Sequence, residues 1–285
     1  MERTKKMGTL LNNSAKFKKI IYSVFMLILG LTMVVPFVFM ISASLKMNNQ
    51  VFIDPLRIIP EKIFTGNYKT LFHHRFYFHW YWNSIRIVLI TILLRGFFVT
   101  LAAYAFAKLR FRFREMLLLL LLAFTLIPSD TTVIARYLMY KQISLIDSQW
   151  VIILPATFDV FFLFLLRQFF MGVPDELSES AIVDGCSHFK IYYKIVLPLC
   201  VPALITMSLF TFIWLWNDFV SPFLFISSMK KQMLTVGLQY FQGEAGANYG
   251  LQMAGASLCI LIPVIMFSFA QKYFIQGIAL TGIKG

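Results

Sequence analysis

The chain has 285 residues, of which 59% are hydrophobic and only 14% are charged, whereas apolar residues make up about 45 to 50% of a typical soluble domain. This composition argues against a water-soluble fold. The formal net charge of +13 would suggest nucleic-acid binding in a soluble protein, but basic loops beside anionic lipid explain it in a membrane protein. We therefore expect lipid contacts and no nucleic-acid partner.

Six apolar stretches predict transmembrane helices, because about 20 apolar helical residues cross a hydrocarbon core of about 30 Å. They cover residues 20–45, the stretch between Arg86 and Lys108, and residues 116–135, 148–166, 199–229 and 245–271. The first is too long for a signal peptide and is expected to stay as an anchor. The sequence thus predicts an all-α polytopic membrane protein, with a cytoplasmic tail at residues 1–19 and a six-helix transmembrane domain at residues 20–285.

Positive charges favour one orientation of these helices. The loop after the second stretch contains Lys108, Arg110, Arg112 and Arg114, and the N-terminal tail is also basic. Because loops rich in Lys and Arg remain in the cytoplasm, we expect a multi-pass protein of the cell membrane with both termini cytoplasmic.

Two charged residues lie inside the predicted spans at comparable depth. Arg95 is about 13 Å into the second span, and Asp159 is about 18 Å into the fourth, at about 1.5 Å per helical residue. A charge within the bilayer should face protein, water or a partner. We expect the two residues to form an ion pair; the alternative is that each lines a pathway separately.

The loop at residues 170–198 is acidic where the charge rule favours basic residues. Asp175, Glu176 and Glu179 suit the first turns of a helix that begins at Pro174. Gly185 permits the left-handed conformation that ends a helix, and Ser187 can cap a new helix that is expected to run as far as Pro198. The pattern predicts a helix, a sharp turn and a second helix, which is typical of a protein-binding surface. A capped surface helix pair without a partner is the alternative.

The fifth span combines aromatic and hydrogen-bonding groups near a predicted break at Pro222. Trp214, Trp216, Asn217 and Asp218 offer the ring faces and polar groups that sugars favour. We consider them candidates for a translocation path, with a purely structural role as the alternative.

The acidic loop resembles the EAA motif of membrane subunits of binding-protein-dependent ABC importers. The residues at matching positions are Glu179, Ser180, Ala181, Gly185, Ile195, Leu197 and Pro198, with Ser180 in place of Ala. Further residues resemble the maltose-type, carbohydrate-uptake branch: Pro174, Glu176, Leu177, Asp184, Phe189, Pro202, Asn83-Ser84, Ala102–Ala105, Pro128, Trp216–Phe219, Pro222 and the C-terminal 282–285.

This resemblance implies an ABC importer permease fold in which the loop forms a cytoplasmic coupling helix. The implied contacts with the ATPase are Glu176, Glu179, Ser180, Ala181, Asp184 and Gly185. The implied partners are a second homologous permease subunit, two ATP-binding subunits and an extracytoplasmic solute-binding protein. The resemblance also implies that Gly243, Glu244, Gly246, Asn248 and Tyr249 reach toward that binding protein; a flexible loop without a partner is the alternative.

The expected function is sugar import, of an oligosaccharide or glycoside, with glycerol phosphate or another polyol derivative as the alternative cargo. A GxxxxGK[ST] phosphate-binding loop is missing, since Ile283 stands where Lys is required. ATP and Mg²⁺ are therefore expected only in partner subunits, and no metal site is expected here. A membrane enzyme would need a constellation such as HExxH or GxSxG, and neither occurs. A self-contained channel or secondary transporter is a further alternative.

Overall fold

The computed structural model describes residues 2–53, 57–243, 246–269 and 271. Helices dominate, and their order along the chain is α1 (Glu2–Ser44), α2 (Gly66–His73), α3 (Tyr77–Lys108), α4 (Arg114–Phe124), α5 (Val133–Gln142), α6 (Trp150–Thr157), α7 (Val160–Met171), α8 (Asp175–Val183), α9 (His188–Ile191), α10 (Leu197–Leu199), α11 (Val201–Trp216), α12 (Val220–Phe225), α13 (Leu234–Gly237) and α14 (Tyr249–Cys259). Strands β1 (Gln242–Gly243) and β2 (Gly246–Ala247) form a short antiparallel hairpin.

The chain divides into two compact units. Among the described residues, the first contains those up to His73 together with those of Phe241–Leu258, and the second contains those of His74–Tyr240 and those from Cys259 onward. In the first unit, Gly250 allows close packing against α2, because an added Cβ would lie 2.8 Å from the Asn67 amide nitrogen. That amide nitrogen donates to the carbonyls of Ser44 and Lys46, both at 2.8 Å.

Four helices in the described residues are long and apolar enough to cross a membrane: Lys18–Ser44, Tyr77–Lys108, Trp150–Met171 and Tyr249–Phe269. A bent pair, His188–Leu199 and Val201–Trp216, adds a fifth span if the pair is counted as one. These helices overlap the first, second, fourth, fifth and sixth predicted stretches. The fifth predicted stretch runs to residue 229, but α11 ends at Trp216 and α12 begins only at Val220. The backbone of α1 is helical from Glu2, so the predicted tail at residues 1–19 continues into the first span without a break.

The third predicted stretch, residues 116–135, is not a continuous helix. Helix α4 ends at Phe124, and α5 begins only at Val133. Pro128 explains the interruption, because proline lacks an N–H and disfavours helical geometry in the residue before it. At about 1.5 Å per residue, the 11 residues of α4 are too few to span a bilayer alone.

The predicted end of a helix at Pro198 is displaced by one residue. The helix continues to Leu199, breaks at Cys200, and resumes as α11 at an angle of 78°. A five-residue π-helix, Tyr192–Val196, precedes the break. Pro198 and Pro202 lie on either side of Cys200, and each lacks a backbone N–H. Fewer helical hydrogen bonds can therefore form at this position.

The core of the second unit forms around α3, which packs against α6, α7 and α11. Phe162, Leu166 and Phe170 of α7 are fully buried, and the small side chains of Ala103 and Ala203 let the helices approach closely. Small residues at such contacts are typical of membrane helices, where van der Waals packing rather than water exclusion drives association.

Aromatic residues before the second predicted stretch also enter this core. Helix α3 begins at Tyr77, nine residues before Arg86, and the side chains of Tyr77 and Trp80 are buried. Gly237 of α13 faces the Trp80 ring, and a Cβ at Gly237 would lie 2.3 Å from it.

Candidate coupling loop and translocation segment

The acidic loop folds locally as its residues predict. Helix α8 ends in a turn in which Gly185 has φ of 77°, in the left-handed region. The Gly185 N–H donates to the Ile182 carbonyl and the Cys186 N–H donates to the Ala181 carbonyl, both at 2.9 Å. These two bonds define a Schellman motif, for which glycine is the preferred residue. Ser187 then caps α9 by accepting from the Lys190 N–H at 3.4 Å.

The predicted contact residues of this loop divide into two groups. Glu176, Glu179, Ser180, Asp184 and Gly185 are exposed on α8 and its turn. Ala181 instead belongs to the core and is 7% exposed, so its small side chain serves packing within this chain.

Exposed apolar side chains lie beside these acidic residues, and the sequence did not mark Ile182 and Val183 as contact residues. Val183 is 87% exposed, and Leu177, Ile182 and Phe189 are exposed as well. Exposed apolar residues interspersed with charged ones are typical of a protein-binding surface. The signal in the sequence was the set of apolar residues among the carboxylates.

Two basic side chains donate hydrogen bonds that connect the loop and its neighbouring helices. Lys108, the last residue of α3, donates to the Val173 carbonyl at 2.6 Å and to Asp175 Oδ1 at 2.5 Å. Arg167 of α7 donates to the Phe106 carbonyl at 3.1 Å and to Glu115 at 2.9 Å. In the sequence, Lys108 and Arg167 counted only as charges that set orientation.

Asp175 lies in the first turn of α8 and is ionised at neutral pH. The hydrogen bond and the positive charge of Lys108 lower the pKa of this carboxyl below its ordinary value. The carboxylate also lies at the positive end of the α8 dipole.

The structure brings Arg95 and Asp159 together, as their depths in the predicted spans suggest. Arg95 Nη2 lies 3.4 Å from Asp159 Oδ2, and the Arg95 side chain is 3% exposed. Arg95 Nε also donates to the Ala156 carbonyl at 2.9 Å, and Nη1 donates to Thr211 Oγ1 at 2.7 Å. The guanidinium lies 4.7 Å from the centre of the Phe162 ring.

The pair lies where the fourth span is broken. Helix α6 ends at Thr157, and Asp159 caps α7 by accepting from the N–H groups of Phe161 and Phe162 at 2.9 and 3.4 Å. Arg95 satisfies the Ala156 carbonyl at the end of α6. Charged side chains therefore supply the partners that the backbone lacks at this break.

The four candidates of the fifth span do not form a single cluster. The Trp216 side chain is buried and stacks on Phe212 with ring centres 5.4 Å apart. Trp214 is 47% exposed and packs against Phe162 at 5.3 Å.

Asn217 completes the end of α11, and Asp218 bonds to the first turn of α12. Asn217 Nδ2 donates to the Ile213 carbonyl at 2.8 Å, and Asp218 Oδ1 accepts from the Ser221 N–H at 3.1 Å. Trp214, Asn217 and Asp218 retain exposed atoms, so of the four candidates only Trp216 is closed off within this chain.

The predicted contact segment for a binding protein forms the β1–β2 hairpin and the start of α14. Gly243 pairs with Gly246 in the hairpin. Asn248 caps α14 by accepting from the Leu251 N–H at 3.0 Å, and Tyr249 packs edge-on against Phe52 at 4.8 Å. Glu244 lies outside the described residues, as do residues 272–285 with the predicted C-terminal motif at 282–285.

A second polar cluster, centred on Asp147, was missed in the sequence. Its Oδ1 accepts from the N–H groups of Ser227 and Ser228 at 3.0 and 2.7 Å, and its Oδ2 accepts from Lys231 Nζ at 2.8 Å. Partial burial raises the pKa of Asp147, but the hydrogen bonds from Lys231 and Ser228 outweigh burial and lower it to about 2. The partners are about 80 residues away in sequence, and only the tertiary fold brings them together.

Comparison with known proteins identifies the family of this chain. The family described as "Binding-protein-dependent transport system inner membrane component" matches residues 99–279, which include the loop and the fifth span. The chain belongs to this family. It is a multi-pass membrane subunit of an ABC importer, and it is a transport component rather than an enzyme. Membership implies ATP-binding and solute-binding partner proteins.

Relatives of this permease match it over nearly its whole length. The arabinooligosaccharides transport system permease protein AraQ of Bacillus subtilis is 31% identical over 97% of this chain and 100% of its own. The polygalacturonan/rhamnogalacturonan permease protein YtcP of the same organism is 30% identical over 94% of this chain and 98% of its own. A bacterial ABC transporter for import of the acidic polysaccharide alginate contains a chain with a TM-score of 0.83 and 22% identity, covering 92% and 98% of the two chains.

Proposed function

We propose that this permease translocates an oligosaccharide or glycoside that an extracytoplasmic binding protein delivers. The names of the relatives support this cargo, since AraQ and YtcP are both described as transporting carbohydrate chains. The chain pairs with a second, homologous permease and with two ATP-binding subunits, which hold ATP and Mg²⁺. Both of its termini are cytoplasmic.

The observation that carries this proposal is the exposed face of α8. Glu176, Glu179 and Asp184 are exposed together with apolar Val183 on this short helix and the turn that ends it, and hydrogen bonds at Gly185 and Cys186 hold the turn. Such a face fits a groove with a basic rim and an apolar floor on the ATPase. ATP-driven closure of the ATPases then moves α8 as a rigid body.

The cargo path and the receptor contact occupy other parts of the chain. Trp214, Asn217 and Asp218 retain exposed groups suited to ring stacking and to hydrogen bonds with hydroxyls. Gly243, Glu244, Gly246, Asn248 and Tyr249 form the contact with the binding protein.

Cross-linking of the assembled importer tests the docking of α8. In a background without native cysteines, a cysteine at Glu179 should cross-link to the ATP-binding subunit. A cysteine at Ile134, which is 76% exposed on α5, serves as the control and should not. Cross-linking from Ile134 but not from Glu179 would contradict the proposed docking face.

Uptake of labelled solutes into proteoliposomes tests the cargo. We expect uptake of an oligosaccharide or glycoside that depends on both ATP and the binding protein. Uptake of glycerol phosphate or another polyol derivative alone would replace the carbohydrate assignment, and uptake without the ATP-binding subunits would contradict the importer mechanism.

A further inference from the structure

The end of α3 presents a buried ammonium group to the segment that leads into α8. The side chain of Lys108 is 6% exposed. Burial of a charged group is costly unless hydrogen bonds compensate it, and here two do. Lys108 Nζ donates to the Val173 carbonyl at 2.6 Å and to Asp175 Oδ1 at 2.5 Å.

These two acceptors belong to the junction between α7 and α8. Helix α7 ends at Met171 and α8 begins at Asp175, so the junction is short. Val173 lies within it, and Asp175 is the first residue of α8. Lys108 thus binds both the junction and the helix that follows it.

Helix dipoles favour the same arrangement. Lys108 lies in the last turn of α3, at the negative end of its dipole, and Asp175 lies in the first turn of α8, at the positive end. Each charge stabilises its own helix end while it pairs with the other. The contact therefore joins the ends of two helices directly.

Helix α3 extends this connection into the membrane core. It packs against α6, α7 and α11, and its Arg95 donates to Ala156 before the break in the fourth span and to Thr211 of α11. Through Lys108 and Arg95, α3 is therefore bonded to the start of α8, to the end of α6 and to α11.

We propose that Lys108 is a positioning residue that transmits movement of α8 to α3 and so couples ATP hydrolysis to solute passage. This inference rests on the proposed docking of α8 to the ATPase. Lys108 contacts neither nucleotide nor solute in this scheme, and it acts by holding the Val173–Asp175 junction against the end of α3.

The two contacts of Lys108 differ in environment, which gives the test a graded series. The Asp175 side chain is 76% exposed, so water and salt weaken its attraction to Lys108. The hydrogen bond from Lys108 to the Val173 carbonyl does not depend on a charge on the loop, so it remains when Asp175 is neutralised. Lys108→Met should therefore have a larger effect than Asp175→Asn.

The experiment measures solute uptake and ATP hydrolysis by the assembled importer in proteoliposomes, with and without the solute-loaded binding protein. For Lys108→Met we expect about a tenfold fall in solute moved per ATP hydrolysed, since residues that link two sites change coupling by factors of about 2 to 30. Asp175→Asn should reduce the ratio less, and Lys108→Arg should restore it. Lys194→Met, at an exposed lysine of the same loop, is the matched control and should leave the ratio unchanged.

An unchanged ratio in both Lys108→Met and Asp175→Asn would overturn the role of Lys108. If Lys108→Met fails to assemble, a normal ratio in assembled Asp175→Asn would also overturn it. The cysteine at Glu179 separates this failure from that of the proposed function. If the cysteine at Glu179 cross-links to the ATP-binding subunit and the Lys108 variants couple normally, only the role of Lys108 is refuted. If that cysteine gives no cross-link in an importer with Lys108 intact, the docking of α8 is refuted.

Discussion

Individual side chains in this permease act through partners that are distant in sequence. Asp147 accepts hydrogen bonds from Ser227, Ser228 and Lys231, and Gly237 makes room for Trp80. Neither residue stands out by its local sequence, because the reason for each lies in a segment far along the chain. Substitution at each position gives a direct measure of that long-range contact.

Asp147→Asn should lower the thermal stability of the protein in detergent. The lowered pKa of Asp147, about 2, means that its carboxylate stabilises the fold at pH values above the unfolded pKa of about 4. That stabilisation is lost as the pH falls through about 2. We expect a cost of about 1 kcal/mol at pH 7, after allowance for solvent screening, and a difference from the unmodified protein that shrinks below pH 4. Glu179→Gln is the control for an exposed carboxyl.

Gly237→Ala should destabilise the protein because the added methyl group meets the buried Trp80 ring. Overpacking of this kind costs about 1 to 3 kcal/mol. Gly30→Ala is the matched control, since no atom lies within 4 Å of its added Cβ. The melting temperatures of the two variants in one detergent compare them, and equal values would contradict the packing role of Gly237.

At the scale of elements, polar side chains complete helices that are broken inside the predicted spans. Arg95 serves the end of α6, and Asp159 serves the start of α7. The sequence predicts that these two charges lie at similar depth, but it does not reveal that the fourth span breaks between Thr157 and Val160. Pro155 lies inside α6, and proline removes a backbone donor from a helix. The break leaves backbone groups without helical partners, and the two charged side chains supply those partners.

Arg95→Met should cost more stability than Asp159→Asn. Loss of the guanidinium removes the hydrogen-bond donor of the Ala156 carbonyl and the ion-pair partner of the Asp159 carboxylate. We expect this loss to lower the free energy of unfolding by about 3 kcal/mol or more. Asp159 is partly exposed, and its loss leaves Arg95 bound to Ala156 and Thr211, so we expect about 1 to 2 kcal/mol. A double-mutant cycle on thermal stability measures the coupling between the pair. Fully additive effects would show that the ion pair contributes nothing.

For the whole molecule, the distribution of Lys and Arg predicts which loops face the cytoplasm. The loop at residues 170–198 belongs to the cytoplasmic side in this scheme, and the loop after the first span belongs to the outside. Sidedness is a property of the protein in its membrane, and it follows from charge retention during insertion rather than from any contact within the fold.

Labelling of single cysteines with a membrane-impermeant maleimide tests this orientation in a cysteine-free background. A cysteine at Val183, which is 87% exposed, should react only in inside-out vesicles. A cysteine at Ile59, which is 80% exposed, should react only in right-side-out vesicles. The reversed pattern would place both termini outside.

The sequence by itself determined the membrane character, the family-specific loop and the local geometry of that loop. Hydrophobic length, helix capping and glycine conformation act over a few residues, so Gly185 and Ser187 could be interpreted without knowledge of the fold. The same local logic misjudged the third span, where it weighed apolar length above the effect of Pro128.

Only the tertiary structure decided which charges are buried, which aromatic residues enter the core and which helices Lys108 connects. Lys108 and Val173 are 65 residues apart in the chain, and Trp80 and Gly237 are farther apart still. Such contacts depend on how distant helices pack, and no local pattern encodes that packing. Lys108 therefore counted in the sequence only as a charge that sets orientation, whereas in the fold it joins α3 to α8.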